Sequence, residues 1–192
     1  MKDKKTDTGK LFVLSGPSGV GKGTVIEKLK EQELEIEYSI SVTTRSPREG
    51  ENEGVDYFFV SDEEFQQMKE NGEFLEWAQV HNNYYGTPKK YVCQKLEQGK
   101  NIILEIDIQG AKQIKKKFPR AVLIFLLPPS IEELEHRLEK RNTENRNTKK
   151  LRLNNAQQEL DKVIFYDYQV ENATLSETIK RLKQIIKTET EE

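Results

Sequence analysis

One stretch near the N-terminus constrains this chain more than any other: "LFVLSGPSGVGKGT", Leu11 to Thr24. Leu11 to Leu14 are apolar and stop abruptly at Ser15-Gly16, and from Val25 the segment "VIEKLKEQ" resumes with apolar residues at helical spacing. The pattern predicts a short buried strand, a tight turn and the first turn of a helix. Between strand and helix lies Gly16-x-x-x-x-Gly21-Lys22, the spacing of a phosphate-binding P-loop. There glycines let successive N–H groups converge on an anion, the helix dipole adds positive potential, and Lys22 reaches the terminal phosphates. The candidate nucleotide-holding residues are Gly16, Pro17, Ser18, Gly19, Val20, Gly21, Lys22, Gly23 and Thr24. A glycine-rich turn with a solvated lysine is the plainer alternative, disfavoured because strand, spacing, lysine and helix agree. The motif implies a bound nucleotide and leaves kinase, hydrolase and switch open.

Inside the motif one position departs from the usual pattern. Lys22 is followed by Gly23 and only then by Thr24, so the hydroxyl that ordinarily meets Mg²⁺ is displaced by one residue. Either Thr24 or water takes its part. This Gly-Lys-Gly-Thr ending resembles that of phosphotransferases acting on nucleoside monophosphates, which tilts the reading toward kinases.

The rest of the chain supplies the fold class. "NIILEIDIQG", Asn101 to Gly110, and "AVLIFLLPPS", Ala121 to Ser130, read as strands, each followed by a helical pattern, "AKQIKKKF" and "IEELEHRLEKR". Near-continuous apolar strands alternating with helices predict an α/β core whose parallel sheet is covered on both faces. Ser39 to Thr87 break that rhythm: "YSISVTTRSPREGENEGVDYFFV" alternates polar with apolar residues around turn signals, as antiparallel strands of an inserted lobe would. The acidic end "TETEE" is expected to be frayed, solvated chain.

A length of 192 residues suits one ordinary domain with an insertion, and 33% charged residues at a net charge of −2 argue against a general nucleic-acid or membrane-surface binder. Cys93 cannot form an internal disulfide, and His81 and His136 are too few and too far apart to suggest a zinc site. The N-terminus is polar and no apolar run reaches membrane-spanning length, so a cytoplasmic protein is expected.

A second anion site is suggested by "SVTTRSPREGE". Arg45 and Arg48 stand three apart across Pro47, which stiffens the turn so that two guanidinium forks can be held over one anion. Downstream, Tyr57, Tyr84, Tyr85 and Thr87 can donate to phosphate oxygens or stack on a base. Packing within a small lobe is the alternative for the aromatics, and the preferred one for Phe58 and Phe59.

The ordered set "GPSGVGKGT", "SVTTRSPREGE", "DYFFVS", "GEFLEWAQVHNNYYGT" and "LEIDIQG" resembles guanylate kinase, from the P-loop to the final helices. That resemblance implies the P-loop nucleoside monophosphate kinase fold: a parallel core sheet flanked by helices, an inserted mixed α/β GMP-binding lobe and a mobile helical lid. The divisions it implies are core over 1–38, 89–136 and 157–192, GMP-binding lobe over 39–88 and lid over 137–156, within one guanylate-kinase-like domain of about 9–188. It implies transfer of the γ-phosphoryl group of ATP to GMP with Mg²⁺, and leaves monomer or homo-oligomer undecided. By the same resemblance the GMP phosphate meets Arg45, Arg48, Tyr57 and Tyr85, and the guanine meets Ser41, Glu76, Thr87 and Asp107. Chemistry supports the base assignment separately, since guanine's N1–H and 2-amino group form a donor pair that a carboxylate accepts and adenine lacks. A strand's wet face is the alternative for Glu76, and a helix N-cap for Asp107.

The segment "HRLEKRNTENRNTKKLRL" is strongly basic in a slightly acidic chain. In the resemblance Arg137, Arg141 and Arg152 match lid-side arginines that contact the ATP phosphates and the group in transit, and Asn172 lies in the adenine-side loop. The chain departs at Asn142, where the family commonly has glycine, and the following "TENRN" with Arg146 is more basic than usual. The resemblance implies a catalytic set of Lys22, Arg45, Arg137, Arg141 and Arg152. Two alternatives remain: a guanylate-kinase-like module that binds phosphorylated peptide, and a kinase of another small phosphate on the same scaffold.

Overall fold

The structure is a computed structural model that describes residues 8–80, 82–140 and 163–191. Its strands are β1 (Leu11–Ser15), β2 (Ile36–Ser39), β3 (Ser41–Thr43), β4 (Tyr57–Phe59), β5 (Phe74–Val80), β6 (Asn83–Pro88), β7 (Asn101–Glu105), β8 (Val122–Leu127) and β9 (Tyr168–Glu171). The helices are α1 (Lys22–Lys30), α2 (Asp62–Glu70), α3 (Lys89–Glu97), α4 (Ile108–Lys117), α5 (Ile131–Lys140) and α6 (Leu175–Glu191). Five strands form one sheet in the order β2-β7-β1-β8-β9, and four form another in the order β4-β3-β6-β5. The β2–β7 and β8–β9 pairs are parallel, as expected of a core in which strands alternate with helices. No helix among the described residues is long and apolar enough to cross a membrane.

The chain divides into two compact units, with β1 running from one into the other. The first holds Glu35–Leu104 and Gln109–Ala121, and with them the four-stranded sheet. Its core sets Val42, Phe65 and Phe74 against Val60, Met68, Trp77 and Tyr84, with the Phe65 ring stacked on Phe74 and Tyr84. Phe65 reaches this core because α2 starts from a capping box: the Glu64 N–H donates to Ser61 Oγ while the Ser61 N–H donates to the Glu64 carboxylate.

The second unit holds Val13–Leu34, Glu105–Ile108 and Val122–Glu192. Strand β8 carries the fully buried Leu123 to Leu126, and α6 turns Ile179, Leu182, Ile185 and Ile186 inward at i, i+3, i+6 and i+7. Each such side chain contributes about 1.5–3 kcal/mol when fully buried, so these two elements anchor what the loops before them must hold.

Three expectations are corrected. The lobe strands are not all antiparallel: β3 pairs antiparallel with β6 and β5 with β6, but β3 runs parallel to β4, because the long connection from Thr44 to Asp56 brings the chain back to the sheet in the same direction. The acidic end is not frayed as far as Glu191: α6 continues to that residue, Tyr168 Oη donates to Glu189 at 2.7 Å and Lys187 pairs with Glu191 at 3.7 Å. Phe58 is not packed but 39% exposed, whereas Phe59 lies with its ring 5.9 Å from that of Tyr57.

Candidate active site

In the second unit the loop between β1 and α1 is a backbone structure. Gly21 caps α1 with φ 100°, in the left-handed region where a side chain is strained, and a Cβ there would stand 2.9 Å from Asn172 Nδ2. At Gly16 a Cβ would come within 2.7 Å of the Leu126 carbonyl oxygen, so strand β8 itself forbids a larger residue. Around Gly23, by contrast, a Cβ would meet nothing within 4 Å. Lys22 folds over the loop and donates from Nζ to the carbonyls of Gly16 at 2.6 Å and Pro17 at 3.3 Å. Thr24 is exposed on the first turn of α1.

What supports this loop was only partly foreseen. Asn172, buried at the end of β9, donates from Nδ2 to the Val20 carbonyl at 2.7 Å and accepts from Thr178 Oγ1 at 2.8 Å. Arg137 reaches the same place: its Nη1 donates to the Val20 carbonyl and its Nη2 to the Asn172 carbonyl, each at 3.2 Å, while Nε is paired with Glu133 at 2.8 Å. The structure thus places Asn172 and Arg137 against the loop's own backbone. Thr178 and Glu133 carried no sequence signal beyond helical spacing; Glu133 stands one turn before Arg137. Arg141 and Arg152, with Asn142 and Arg146, lie outside the described residues.

The first unit holds most of the residues expected to meet GMP. Arg45 leaves the end of β3 and makes a two-pronged pair with Glu51, Nη1 to Oε2 and Nη2 to Oε1, both 2.9 Å. Its guanidinium lies 5.3 Å from the centre of the Tyr57 ring, and the Tyr57 and Tyr85 rings meet edge to face at 6.1 Å. Glu51 also accepts from the Arg48 N–H at 2.7 Å, which closes the turn that Pro47 stiffens. Burial works against both charges, but their mutual hydrogen bonds outweigh it: Arg45 is raised further above its ordinary value, with help from Tyr85, and Glu51 is held below the usual carboxylate range. The Arg48 side chain is exposed. Glu51 was missed in the sequence, although its place three residues after Arg48 in one tight turn was the available signal.

Glu76 is not on a wet face. It is 3% exposed, opposite Thr87 in the β5–β6 register, and accepts from Thr87 Oγ1 at 2.6 Å. Ser41 is buried at the start of β3. Tyr84 serves the lobe core rather than the site, its ring stacked on Phe65, while its carbonyl accepts from Thr43 Oγ1 and its N–H donates to Thr44 Oγ1. Asp107 stands immediately before α4, in the other unit from Glu76.

A family model described as guanylate kinase matches residues 8–189. The chain is 50% identical over 183 residues to the guanylate kinase of Oceanobacillus iheyensis, covering 95% of this chain and 89% of that one. It is 52% identical over 179 residues to that of Bacillus cereus, covering 93% and 87%. Its fold is similar to the crystal structure of guanylate kinase from Anaplasma phagocytophilum, with a TM-score of 0.83 at 39% identity over 96% of this chain and 88% of that chain.

Proposed function

The chain belongs to the guanylate kinase family and is an ATP:GMP phosphotransferase; from that premise we propose how its residues divide the work. The buried Glu76–Thr87 pair is the observation that carries the assignment. A carboxylate is an acceptor-only group, and one held in a dry lobe by a neighbouring hydroxyl suits the N1–H and 2-amino donors of guanine. Ser41 and Asp107 complete the base contacts in this reading. Arg45, Arg48, Tyr57 and Tyr85 receive the GMP phosphate; Glu51 takes the Nη1–Nη2 edge of Arg45 and fixes the guanidinium plane, so that its Nε–Nη2 edge is the one offered to the phosphate.

On the donor side the loop from Gly16 to Thr24 holds the ATP phosphates through backbone N–H groups, and Lys22 exchanges its loop carbonyls for phosphate oxygens. Arg137 and Asn172 keep the loop in shape, and Arg141 and Arg152 belong to the same reading as donor-side cations over the lid at 137–156. Mg²⁺ accompanies ATP. No cluster of three or more His, Cys, Asp or Glu that could hold a metal exists among the described residues, so the donor set fits an ion carried by phosphate oxygens and water, with Thr24 the hydroxyl that would join it. When bound, the ion neutralises phosphate charge.

Phosphoryl transfer through a loose transition state asks mainly for alignment and charge neutralisation. The acceptor oxygen of GMP is already anionic near neutral pH, so the chain needs no general base, and Lys22 with the arginines stabilises the equatorial oxygens of the moving group. The relatives carry the enzyme's name, which favours transfer over phosphopeptide binding. A cytoplasmic enzyme of GMP recycling is the corresponding setting. ADP release measured with GMP, AMP, CMP, UMP and dTMP tests the reading: GMP alone should support rapid turnover, and equal rates with AMP would overturn the guanine assignment.

A further inference from the structure

Glu76 sits on β5, the edge strand of the four-stranded sheet, beside an irregularity. Phe74 is opposite Pro88 and Glu76 is opposite Thr87, so Leu75 is an extra residue with no counterpart on β6. Such a bulge bends the strand and re-aims the side chain that follows. Pro88 has no N–H to donate, which weakens the ladder further at that point. The carboxylate therefore rides on backbone that β6 alone holds poorly.

The outer edge of β5 is held by a helix instead. Three α4 residues spaced four apart take three alternate carbonyls of the strand in reverse order. Gln109 Nε2 donates to the Gln79 carbonyl at 3.3 Å, Gln113 Nε2 to the Trp77 carbonyl at 2.7 Å, and Lys117 Nζ to the Leu75 carbonyl at 2.6 Å. The repeat distances explain why this works. Four helical residues advance about 6 Å, and two strand residues about 6.6 Å, a mismatch that flexible side chains absorb.

Gln113 makes a two-way contact, since its Oε1 also accepts from the Trp77 N–H at 3.4 Å. Its amide thus offers Trp77 the donor and acceptor that the peptide group of a further strand would offer. Leu75 and Trp77 are the two neighbours of Glu76 in the chain, so Lys117 and Gln113 grip the backbone on both sides of the carboxylate.

We propose that Gln113, assisted by Lys117, is a positioning residue for guanine recognition: it stands in for a missing strand and fixes the bulged backbone that carries Glu76. The inference rests on the reading of Glu76 as the guanine acceptor. Gln113 does not touch the nucleotide, and it acts through the placement of one carboxylate.

Steady-state kinetics of Gln113→Ala, with GMP and ATP varied separately, test it. The KM for GMP should rise about tenfold, the size expected when one charge-assisted hydrogen bond is misaligned, with the KM for ATP unchanged. Gln113→Lys should recover most of the GMP affinity, because Lys117 shows that an ammonium on this face of α4 reaches the strand. An unchanged KM for GMP, an equal rise for both nucleotides, or failure of lysine to rescue would overturn the proposal. If the alanine variant does not fold, Gln113→Glu keeps the side chain's length while removing its donor, and the same rise in KM for GMP is expected or the proposal falls. Glu76→Gln, measured alongside, separates the two claims. If it leaves GMP handling intact, the base assignment itself is wrong; if it impairs GMP handling while Gln113→Ala does not, only the positioning role is lost.

Discussion

The two regions proposed above to handle phosphate are built from different parts of the polypeptide. On the acceptor side the anion site is made of side chains: Arg45 is locked by Glu51 and stacked near Tyr57, at the end of a strand and on a turn. On the donor side it is backbone, with glycines at Gly16 and Gly21 that admit no Cβ and a lysine resting on the loop's own carbonyls. A site of side chains fails when atoms are taken away, while a site of backbone fails when atoms are added. The first can be tuned residue by residue, and the second leaves little that a change of side chain can tune.

Lys22 is the exception on the donor side, a side chain in a backbone site, and its loss should be the largest effect. Lys22→Ala should lower kcat about a thousandfold while GMP binding, measured by calorimetry, stays near normal; comparable loss of GMP binding would erase the distinction between the regions. Glu76→Gln should come next. It replaces an acceptor with an N–H₂ group facing guanine's donors and should cost about 1.5–3 kcal/mol, a tenfold to hundredfold fall in kcat/KM for GMP, with the KM for ATP untouched.

Adding atoms tests the other half. Gly21→Ala should lose about 2 kcal/mol of stability through a strained φ and the contact with Asn172, which is about 5 °C in Tm for a chain of this size. GMP affinity should hold. On the acceptor side the Glu51–Arg45 pair should show in the pH dependence of stability. Because Glu51 is held below the ordinary value of 4.5, its contribution is present above that pH and is lost as pH falls through the lowered value. Wild type should therefore exceed Glu51→Gln in Tm at pH 7, by the equivalent of about 1.5 kcal/mol, and the gap should close in acid. Thr24→Val should give the smallest effect: if ATP and water hold the ion, the Mg²⁺ dependence of turnover changes little, and a collapse would make Thr24 a direct ligand.

The P-loop was legible in the sequence because its geometry depends on residues with no substitute. Only glycine fits beside the Leu126 carbonyl or takes the turn at Gly21, so glycine spacing, read with the strand before it and the lysine and helix after it, located the loop. The βα units were legible from length and context, since "NIILE" and "VLIFLL" are short apolar runs, each followed after a few residues by helical spacing. The parallel β3–β4 pairing was not, because strand direction is set by the route of the Thr44–Asp56 connection and alternation looks the same either way. Glu51 and Thr178 escaped notice because a glutamate in a turn and a threonine in a helix are ordinary until their partners, brought from elsewhere in the chain, are seen. The helical tail was misjudged because its charged residues face solvent while Ile185 and Ile186, just before it, are buried and commit the helix to continue.

The grip of α4 on β5 has a consequence for the lobe as a folded object. A sheet with bare edges offers unpaired N–H and C=O groups on which another chain can add a strand. In the four-stranded sheet one edge strand, β4, is only three residues long, and the other, β5, has alternate carbonyls already taken by Gln109, Gln113 and Lys117. The helix that steadies a carboxylate thereby also denies a template to aggregation, and variants that loosen it should lose solubility on prolonged warming before they lose their secondary structure.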